Sequence, residues 1–312
     1  MVLIIGHRGA SGHRPEHTRA SYRLALELGA GAIEPDLVPS LDGVLVVRHE
    51  PELSGTTDVA ERPEFADRHR TVVIDGVSYA GWFTIDFTWD ELATLRARER
   101  LPQLRPESAA HDDEDGLLRF RDVLDLLPPD VVLVVELKHP AIFGTIGFDM
   151  AGMLIAELGG RVPADRLVVE CFELPVLEEL HGRGLGATYV YLSESPVDLG
   201  ALPASIDGVS YDKGLLLAEG GARLVEDAHD AGLAVYAWTL RPENTFLEPR
   251  FRRGDDPTAR GDWEGEYAAI FAAGVDGVFA DHPDLAISIA PEPTGAGVQY
   301  PRVPRSAPGN GE

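Results

Sequence analysis

The chain has 312 residues, a formal net charge of −25 and 44% hydrophobic residues, which is an ordinary composition for a globular protein. The charge argues against nucleic acid or an anionic membrane as the main partner, because both attract lysine and arginine. The single Cys171 excludes an internal disulfide, and no apolar run approaches the ~20 residues of a membrane-spanning helix.

The first predicted element is a strand over residues 2–5, within the N-terminal letters MVLIIGHRGA. These letters lack the basic region and the long apolar region of a signal peptide, so we expect no signal peptide and a cytoplasmic protein. A helix is predicted next, over residues 16–28, because Ala20, Leu24 and Leu28 fall on one stripe and Gly29 is a common helix stop.

Runs rich in valine, isoleucine and leucine then recur with helical patterns between them, which indicates parallel strands joined by crossover helices. One further run, 44–49, follows the second strand after a turn too short for a parallel crossover, so we predict an antiparallel hairpin. The pattern predicts a TIM (β/α)8 barrel with one hairpin extension. The predicted barrel strands are 2–5, 32–37, 131–137, 166–172, 187–192, 208–211, 234–239 and 277–281.

The stretch over about 51–128 is too long for one barrel loop. We interpret it as a small module inserted after the strand-2 hairpin, over the barrel mouth. Within it, Thr88 and Glu91 have the spacing of a capping box, which predicts a helix running from there to about Arg98.

Two features are predicted in the C-terminal half. A second insertion over 241–266 carries mixed charges with Phe and Trp, and we interpret it as a lid. A helix is predicted over 221–231, and Gly232 directly after it is a common helix stop. The predicted organisation is a barrel over residues 1–289 and a disordered tail, rich in proline and glycine, over residues 290–312.

Charged side chains gather at the ends of four predicted strands, where the active sites of such barrels form. Residues two apart in a strand point to the same face, so acids or bases at that spacing reach one rim together. The set contains two imidazoles, three carboxylates and two cations: His7, His49, Glu34, Asp36, Glu136, Arg8 and Lys138.

These residue types together predict metal-assisted cleavage of a phosphate ester. Three carboxylates that converge repel one another. A bound divalent cation would compensate this repulsion, so their convergence indicates a metal site. Oxygen ligands suit Mg²⁺ or Ca²⁺ better than Zn²⁺. Arg8 and Lys138 add the positive charge that a phosphate needs, and His7 and His49 can serve as general base and general acid near neutral pH.

Each of these residue pairs, taken alone, has an ordinary structural explanation. A chance occurrence is disfavoured only because the pairs are found together at four predicted strand ends. We interpret His13, His17 and His139 as structural, because they lie off the strand ends. Asp281, at the end of the last strand, either supports the site from behind or is structural. Trp238 is either core filler or the apolar wall of a substrate pocket.

The segments HRGASGHRPEHT, IEPDLVPSLDGVLVVRHE, ELK, YAWT and GVDGVFADHP resemble the glycerophosphodiester phosphodiesterase family over about residues 3–285. TTDVAERPEFADRHR with IDFTWDEL resembles the inserted module of its periplasmic, calcium-using branch. Pro35 between the acids and Glu50 in place of the usual Asp are mild departures. The resemblance implies metal ligands Glu34, Asp36 and Glu136, catalytic histidines His7 and His49, and basic partners Arg8 and Lys138.

The predicted function is metal-dependent hydrolysis of a small-molecule glycerophosphodiester to glycerol 3-phosphate and an alcohol. Ca²⁺ or Mg²⁺ is the expected cofactor, with His7 favoured as base and His49 as acid. One alternative is phospholipase-type cleavage of intact phospholipids, which would call for an exposed apolar rim near the insertion. Another is a non-catalytic barrel that only binds a ligand.

Overall fold

The computed structural model describes the helices and strands of residues 2–291. The strands are β1 (Leu3–His7), β2 (Ala32–Glu34), β3 (Asp36–Pro39), β4 (Leu45–Val47), β5 (Arg70–Ile74), β6 (Val77–Gly81), β7 (Val132–Leu137), β8 (Leu167–Cys171), β9 (Thr188–Ser193), β10 (Gly208–Asp212), β11 (Ala234–Leu240) and β12 (Gly277–Ala280). The α-helices are α1 (Arg19–Glu27), α2 (Trp89–Leu92), α3 (Pro106–Ala109), α4 (Phe120–Leu124), α5 (Pro140–Thr145), α6 (Met150–Leu158), α7 (Leu174–Gly182), α8 (Lys213–Leu217), α9 (Gly221–Asp230), α10 (Trp263–Ala272) and α11 (Pro283–Ile289).

The predicted barrel strands form and close into a parallel ring. Their hydrogen-bonded order is β2, β1, β12, β11, β10, β9, β8 and β7, and β7 also pairs with β2. The predicted second strand is split into β2 and β3 at Pro35, because proline has no N–H to donate to the ladder. The hairpin strand β4 pairs antiparallel with β3, as predicted. The TIM (β/α)8 prediction is therefore confirmed.

Alternation along the strands separates the barrel interior from the helix-facing core. Ile33, Val135 and Val169 belong to the outer apolar cluster, whereas Ala32, Val134 and Val168 belong to an inner one. In each of these three strands, the next inward-facing residue, two positions after the inner apolar one, is a glutamate. The inward rows therefore end, at the C-terminal mouth, in the side chains His7, Glu34, Glu136, Glu170 and Trp238.

The helix predicted over 88–98 is wrong beyond Leu92. The capping box of Thr88 and Glu91 does begin a helix, but α2 ends after one turn. The following chain is extended because it pairs with an earlier segment: Arg98 donates its backbone N–H to the Thr56 carbonyl at 2.9 Å. The Arg96 amide also donates to the Asp58 carboxylate at 2.8 Å. This long-range pairing replaces the helical hydrogen bonds.

The other predicted segments agree with the structure to different degrees. The helix predicted over 16–28 is observed as the shorter α1, and the helix predicted over 221–231 is observed as α9, which ends one residue earlier. Residues 263–266 of the predicted lid belong to α10, and the remainder is irregular apart from a 3-10 turn at Pro249–Phe251. The predicted tail lies, from residue 292, outside the described residues. Within them, no helix has the length and apolarity needed to cross a membrane.

Candidate active site

A cavity of about 790 Å³ opens at the C-terminal ends of the barrel strands. Of the residues predicted for the site, only Asp36 is missing from its lining, and Asp36 is buried. The lining contains His7, Arg8, Glu34, His49, Glu136, Lys138 and Trp238. The strand register therefore brings the predicted residues together at one mouth.

Three buried carboxylates meet in this cavity: Glu34, Glu136 and Glu170 each place an oxygen within 4.8 Å of the others. Burial, with the nearby Asp36 and Glu170 charges, raises the pKa of Glu34 well above its usual range. Burial also raises the pKa of Glu136 to about 8, against the lowering effect of Lys138. The pKa of Glu170 rises for the same reason, first through burial and then through Glu136.

The observed cluster differs from the predicted ligand set by one residue. Asp36 accepts a hydrogen bond from His17 Nε2 at 2.9 Å, and its other oxygen lies 3.0 Å from Lys138 Nζ. Although burial opposes ionisation, Lys138, His49 and His17 hold the pKa of Asp36 well below its usual range. Asp36 is therefore an ion-paired neighbour of the cluster, in which Glu170 is the third carboxylate. Asp36 as a metal ligand stays a prediction.

The cluster fits a hard divalent cation. Among residues 2–291, no lysine or arginine side chain forms an ion pair with Glu34 or Glu170, and Glu136 pairs with Lys138 alone. Glu34 accepts one hydrogen bond from the backbone N–H of Arg8, at 2.8 Å. Buried carboxylates with so little positive charge beside them hold protons until a cation replaces those protons. Carboxylate oxygens are the ligands that Ca²⁺ and Mg²⁺ prefer.

A tight turn after β1 aims the backbone of Arg8 at this cluster. Arg8 and Gly9 have φ angles of 57° and 88°, in the left-handed region. A Cβ on Gly9 would lie 2.4 Å from the Ser21 hydroxyl, so only glycine fits. The Arg8 guanidinium contacts Glu16 at 3.2 Å and Asp36 at 3.3 Å. Its positive charge thus lies at the cavity wall but is shared with two acids.

Each predicted histidine is held by its own carboxylate. His7 Nδ1 lies 2.6 Å from Asp281 Oδ1, and His49 Nδ1 lies 2.5 Å from Glu50 Oε1. A carboxylate at Nδ1 fixes the tautomer that carries its proton there and leaves Nε2 as the hydrogen-bond acceptor. Of the two interpretations of Asp281, this contact supports the one in which it stands behind the site. The role of Glu50 was not predicted.

Both imidazoles are neutral in this environment. Burial, followed by the charge of Arg8, lowers the pKa of His7 to about 4 and that of His49 to about 3. A neutral imidazole can accept a proton at Nε2. A nearby anion would favour the protonated form and raise these pKa values again.

Acid should destabilise the metal-free fold partly through His7. Its folded pKa of about 4 lies below its ordinary value of 6.5, so the unfolded chain binds the proton first as the pH falls. The stabilising contribution is present above pH ~6.5 and is lost on the way down to pH ~4; by linkage about 2 kcal/mol is gone at pH ~5. Urea unfolding of wild type and His7→Gln, at neutral pH and at pH ~5, measures this. Equal losses in both proteins would contradict a neutral His7.

The far wall of the cavity is aromatic. The rings of Phe172 and Trp238 meet edge to face with centroids 5.7 Å apart, and the Trp238 indole N–H donates to the Ser210 carbonyl at 3.2 Å. Trp238 lines the cavity, which supports its interpretation as a pocket wall over that as core filler. Its contact with substrate stays a prediction.

Sequence reasoning missed Glu170, the third carboxylate of the cluster. A signal was present: in the letters LVVEC of β8, Glu170 is a lone acid in a buried strand, at the inward parity of Val168. The register that sets Glu170 beside Glu136 across two strands follows only from the folded barrel.

Comparison with known proteins identifies the family. The family model described as "Glycerophosphoryl diester phosphodiesterase family" matches residues 7–285. The chain is 47% identical over 298 residues to a Bacillus subtilis glycerophosphodiester phosphodiesterase, covering 91% of this chain and 85% of that protein. It is 49% identical over 139 residues to an Arabidopsis thaliana glycerophosphodiester phosphodiesterase, where the match spans 44% of this chain but 37% of the relative.

Solved structures share the fold. An Oleispira antarctica phosphodiesterase in complex with the product sn-glycerol-3-phosphate superposes with a TM-score of 0.67 at 21% identity, over 92% of this chain and 96% of that one. At that identity the likeness concerns the barrel alone. The family match, together with the Bacillus subtilis relative, carries the assignment: the chain belongs to the glycerophosphoryl diester phosphodiesterase family.

Proposed function

We propose that this chain hydrolyses glycerophosphodiesters to glycerol 3-phosphate and an alcohol, with a divalent cation and two histidines. One observation carries the proposal: the buried Glu34, Glu136 and Glu170 cluster shares a cavity with His7 and His49. The Oleispira antarctica enzyme of the same fold binds sn-glycerol-3-phosphate, which supports this substrate class.

Ca²⁺ or Mg²⁺ would be held by Glu34, Glu136 and Glu170, with Asp36 as a neighbouring candidate ligand. When bound, the cation supplies Lewis-acid polarisation of a phosphoryl oxygen and of a glycerol hydroxyl. The ion-paired Arg8 and Lys138 would contact the phosphate from the cavity wall, each with part of its charge committed to Asp36. Trp238 would pack against the apolar part of the substrate.

The two histidines would move the protons. His7, whose Nδ1 is fixed by Asp281, would accept at Nε2 the proton of the nucleophile, which is water or the neighbouring glycerol hydroxyl. Attack by that hydroxyl would form a cyclic glycerol phosphate, which a water molecule would then open to glycerol 3-phosphate. His49 would donate a proton from Nε2 to the leaving alcohol oxygen. Its pKa of about 3 in the free protein would rise beside an anionic phosphate, since a negative charge favours the imidazolium.

The phospholipase alternative is favoured by one specific observation. The β5–β6 hairpin of the insertion exposes Val73 and Val77, at 63% and 53%, and Asp75 at its tip lies 2.7 Å from His139 at the cavity. The exposed valines on either side of this tip, beside the mouth, are the kind of side chain that enters a lipid surface. The net charge of −25 opposes binding to an anionic membrane.

A substrate panel tests the proposal against both alternatives. Glycerol 3-phosphate release would be measured enzymatically from glycerophosphocholine, glycerophosphoethanolamine and glycerophosphoinositol, with Ca²⁺ or Mg²⁺ present. Release of choline, with phosphatidic acid as the other product, would be measured from phosphatidylcholine vesicles under the same conditions. We expect release from the glycerophosphodiesters and none from vesicles. Cleavage of vesicles alone would support the phospholipase, and binding without any cleavage would support the non-catalytic barrel.

Replacing Glu170 should weaken the ion site. Glu170→Gln keeps the shape but removes one ligand charge, so the dissociation constant for Ca²⁺ or Mg²⁺ should rise roughly tenfold or more. Glu173→Gln is the matched control, because Glu173 lines the same cavity but lies outside the cluster. Isothermal titration of chelator-treated protein measures both, beside Asp36→Asn. A larger effect of Asp36→Asn than of Glu170→Gln would favour the predicted ligand set instead.

A further inference from the structure

Two arginines of the inserted segment reach the carboxylates that hold the two site histidines. We propose that Arg100 and Arg105 are positioning residues, so that the insertion orients both histidines for the reaction. This inference rests on the two-histidine mechanism proposed above. We name the chain His7–Asp281–Arg105 the first relay and the chain His49–Glu50–Arg100 the second relay.

In the first relay both oxygens of Asp281 are occupied. Oδ1 accepts from His7 Nδ1 at 2.6 Å, while Oδ2 accepts from Arg105 Nη2 and from Arg241 Nε, each at 2.7 Å. Asp281 and Arg105 are buried. Arg105 also donates to Glu243 at 2.7 Å. With Oδ2 fixed by two guanidinium groups, the carboxylate cannot rotate away from His7.

In the second relay Arg100 is the cation that holds Glu50. Arg100 Nη1 and Nη2 lie 2.7 Å and 2.5 Å from the two Glu50 oxygens, a bidentate pair with geometric specificity. The Glu50 oxygen Oε1 lies 2.5 Å from His49 Nδ1. Arg100 also binds Glu16 at 2.7 Å, and Glu16 contacts Arg8 at 3.2 Å. The guanidinium group of Arg100 therefore links Glu50, the partner of His49, through Glu16 to the turn at Arg8.

The two relays differ in redundancy. Among the described residues, Glu50 forms ion pairs with His49 and Arg100 only, whereas Asp281 retains Arg241 if Arg105 is removed. Loss of Arg100 should therefore disturb His49 more than loss of Arg105 disturbs His7. Both arginines come from the short stretch just before and at the start of α3, within the insertion. The barrel strands alone supply Glu50 with no such partner.

A purely structural interpretation would have these arginines fasten the insertion to the barrel. The test must therefore include a measurement that reports on the histidines themselves. In the ion-loaded enzyme, Arg100→Ala should lower kcat for glycerophosphocholine roughly 10- to 100-fold, with KM changed little, because orientation of the histidine and not substrate binding is lost. Arg105→Ala should lower kcat less.

Three further measurements separate positioning from fastening. Proton NMR should show the Nδ1–H signal of His49 shifted or lost in Arg100→Ala, with that of His7 retained. Millimolar methylguanidinium should restore part of the kcat of Arg100→Ala. Arg100→Lys keeps a charge but not the two-pronged geometry, so its kcat should fall between wild type and Arg100→Ala; it also provides a folded variant if alanine prevents folding.

Arg98→Ala is the matched control, because Arg98 also bridges two carboxylates of the insertion, Glu61 and Asp113, but touches no histidine partner. It should leave kcat and both imidazole signals unchanged. Losses of kcat in Arg100→Ala and Arg105→Ala no greater than in Arg98→Ala, with both Nδ1–H signals intact, would overturn the proposal.

Failure of the proposed function would look different. If His7→Ala and His49→Ala retained activity, the two-histidine mechanism would be wrong. The imidazole NMR signals would then be the test of the two relays, because these signals report the His–carboxylate contacts whatever reaction the site performs. Shifted signals in the arginine variants would support the relays, and unchanged signals would refute them.

Discussion

His7→Ala and His49→Ala should each lower kcat for glycerophosphodiester hydrolysis by roughly 10²-fold or more, as loss of a general acid or base does. Both imidazoles line the cavity, and each has its Nδ1 occupied by a carboxylate, so Nε2 is the nitrogen offered to substrate. Steady-state rates on glycerophosphocholine with saturating ion measure the effect.

His13→Ala is the matched control for the two histidine variants. His13 also pairs with a carboxylate, Asp284 at 2.8 Å, but it is outside the cavity lining. Its replacement should leave kcat near that of wild type. Near-full activity of either His7→Ala or His49→Ala, with normal thermal unfolding, would make that residue structural and the mechanism wrong.

Glu136→Gln should remove most activity, roughly 10²-fold or more, through loss of the cation's stabilisation of the transition state. Glu136 places an oxygen within 4.8 Å of an oxygen of each other cluster carboxylate, and burial raises its pKa to about 8. The ion affinity by titration and kcat should fall together, and excess ion should restore part of kcat.

Glu194→Gln controls for charge in the same cavity, since Glu194 is an exposed lining residue outside the cluster. It should leave ion affinity and the ion requirement unchanged. Unaltered ion affinity in Glu136→Gln would remove Glu136 from the site and refute the cluster as the cation's place.

The barrel was predictable because its signal is local. Buried parallel strands read as runs of valine, isoleucine and leucine, and alternation assigns each side chain to a face. The same alternation predicted that Glu34 and Glu136 reach the barrel mouth, because both residues lie on the inward-facing side of their strands. Only the break at Pro35 was not predicted, although proline's missing N–H explains it.

The insertion was predicted poorly because distant segments determine its structure. The chain after Leu92 pairs with residues 56–58, which lie far away in sequence, and so the local helix signal was overridden. The β5–β6 hairpin was missed even though it had a local signal. Asp75 and Gly76 both have positive φ, and Asp-Gly between two apolar runs is a strong hairpin indicator.

The partners of the site residues were the least predictable part. Glu50 binds Arg100, and Asp281 binds Arg105, across separations of 50 and 176 residues. Spacing within one strand or helix does not encode such contacts. The ion pairs of Asp36 with Lys138 and Arg8 are of the same kind. So is the contribution of Glu170 to the carboxylate cluster, because its strand lies far from Glu34 in sequence.

Removal and return of the ion, with identification of the product, tests the central claim most directly. The protein would be treated with chelator, its ion content checked by elemental analysis, and glycerophosphocholine turnover followed by ³¹P NMR before and after addition of Ca²⁺ or Mg²⁺. We predict no turnover without ion and formation of glycerol 3-phosphate once either ion is restored. Full production of glycerol 3-phosphate by ion-free protein would contradict the account.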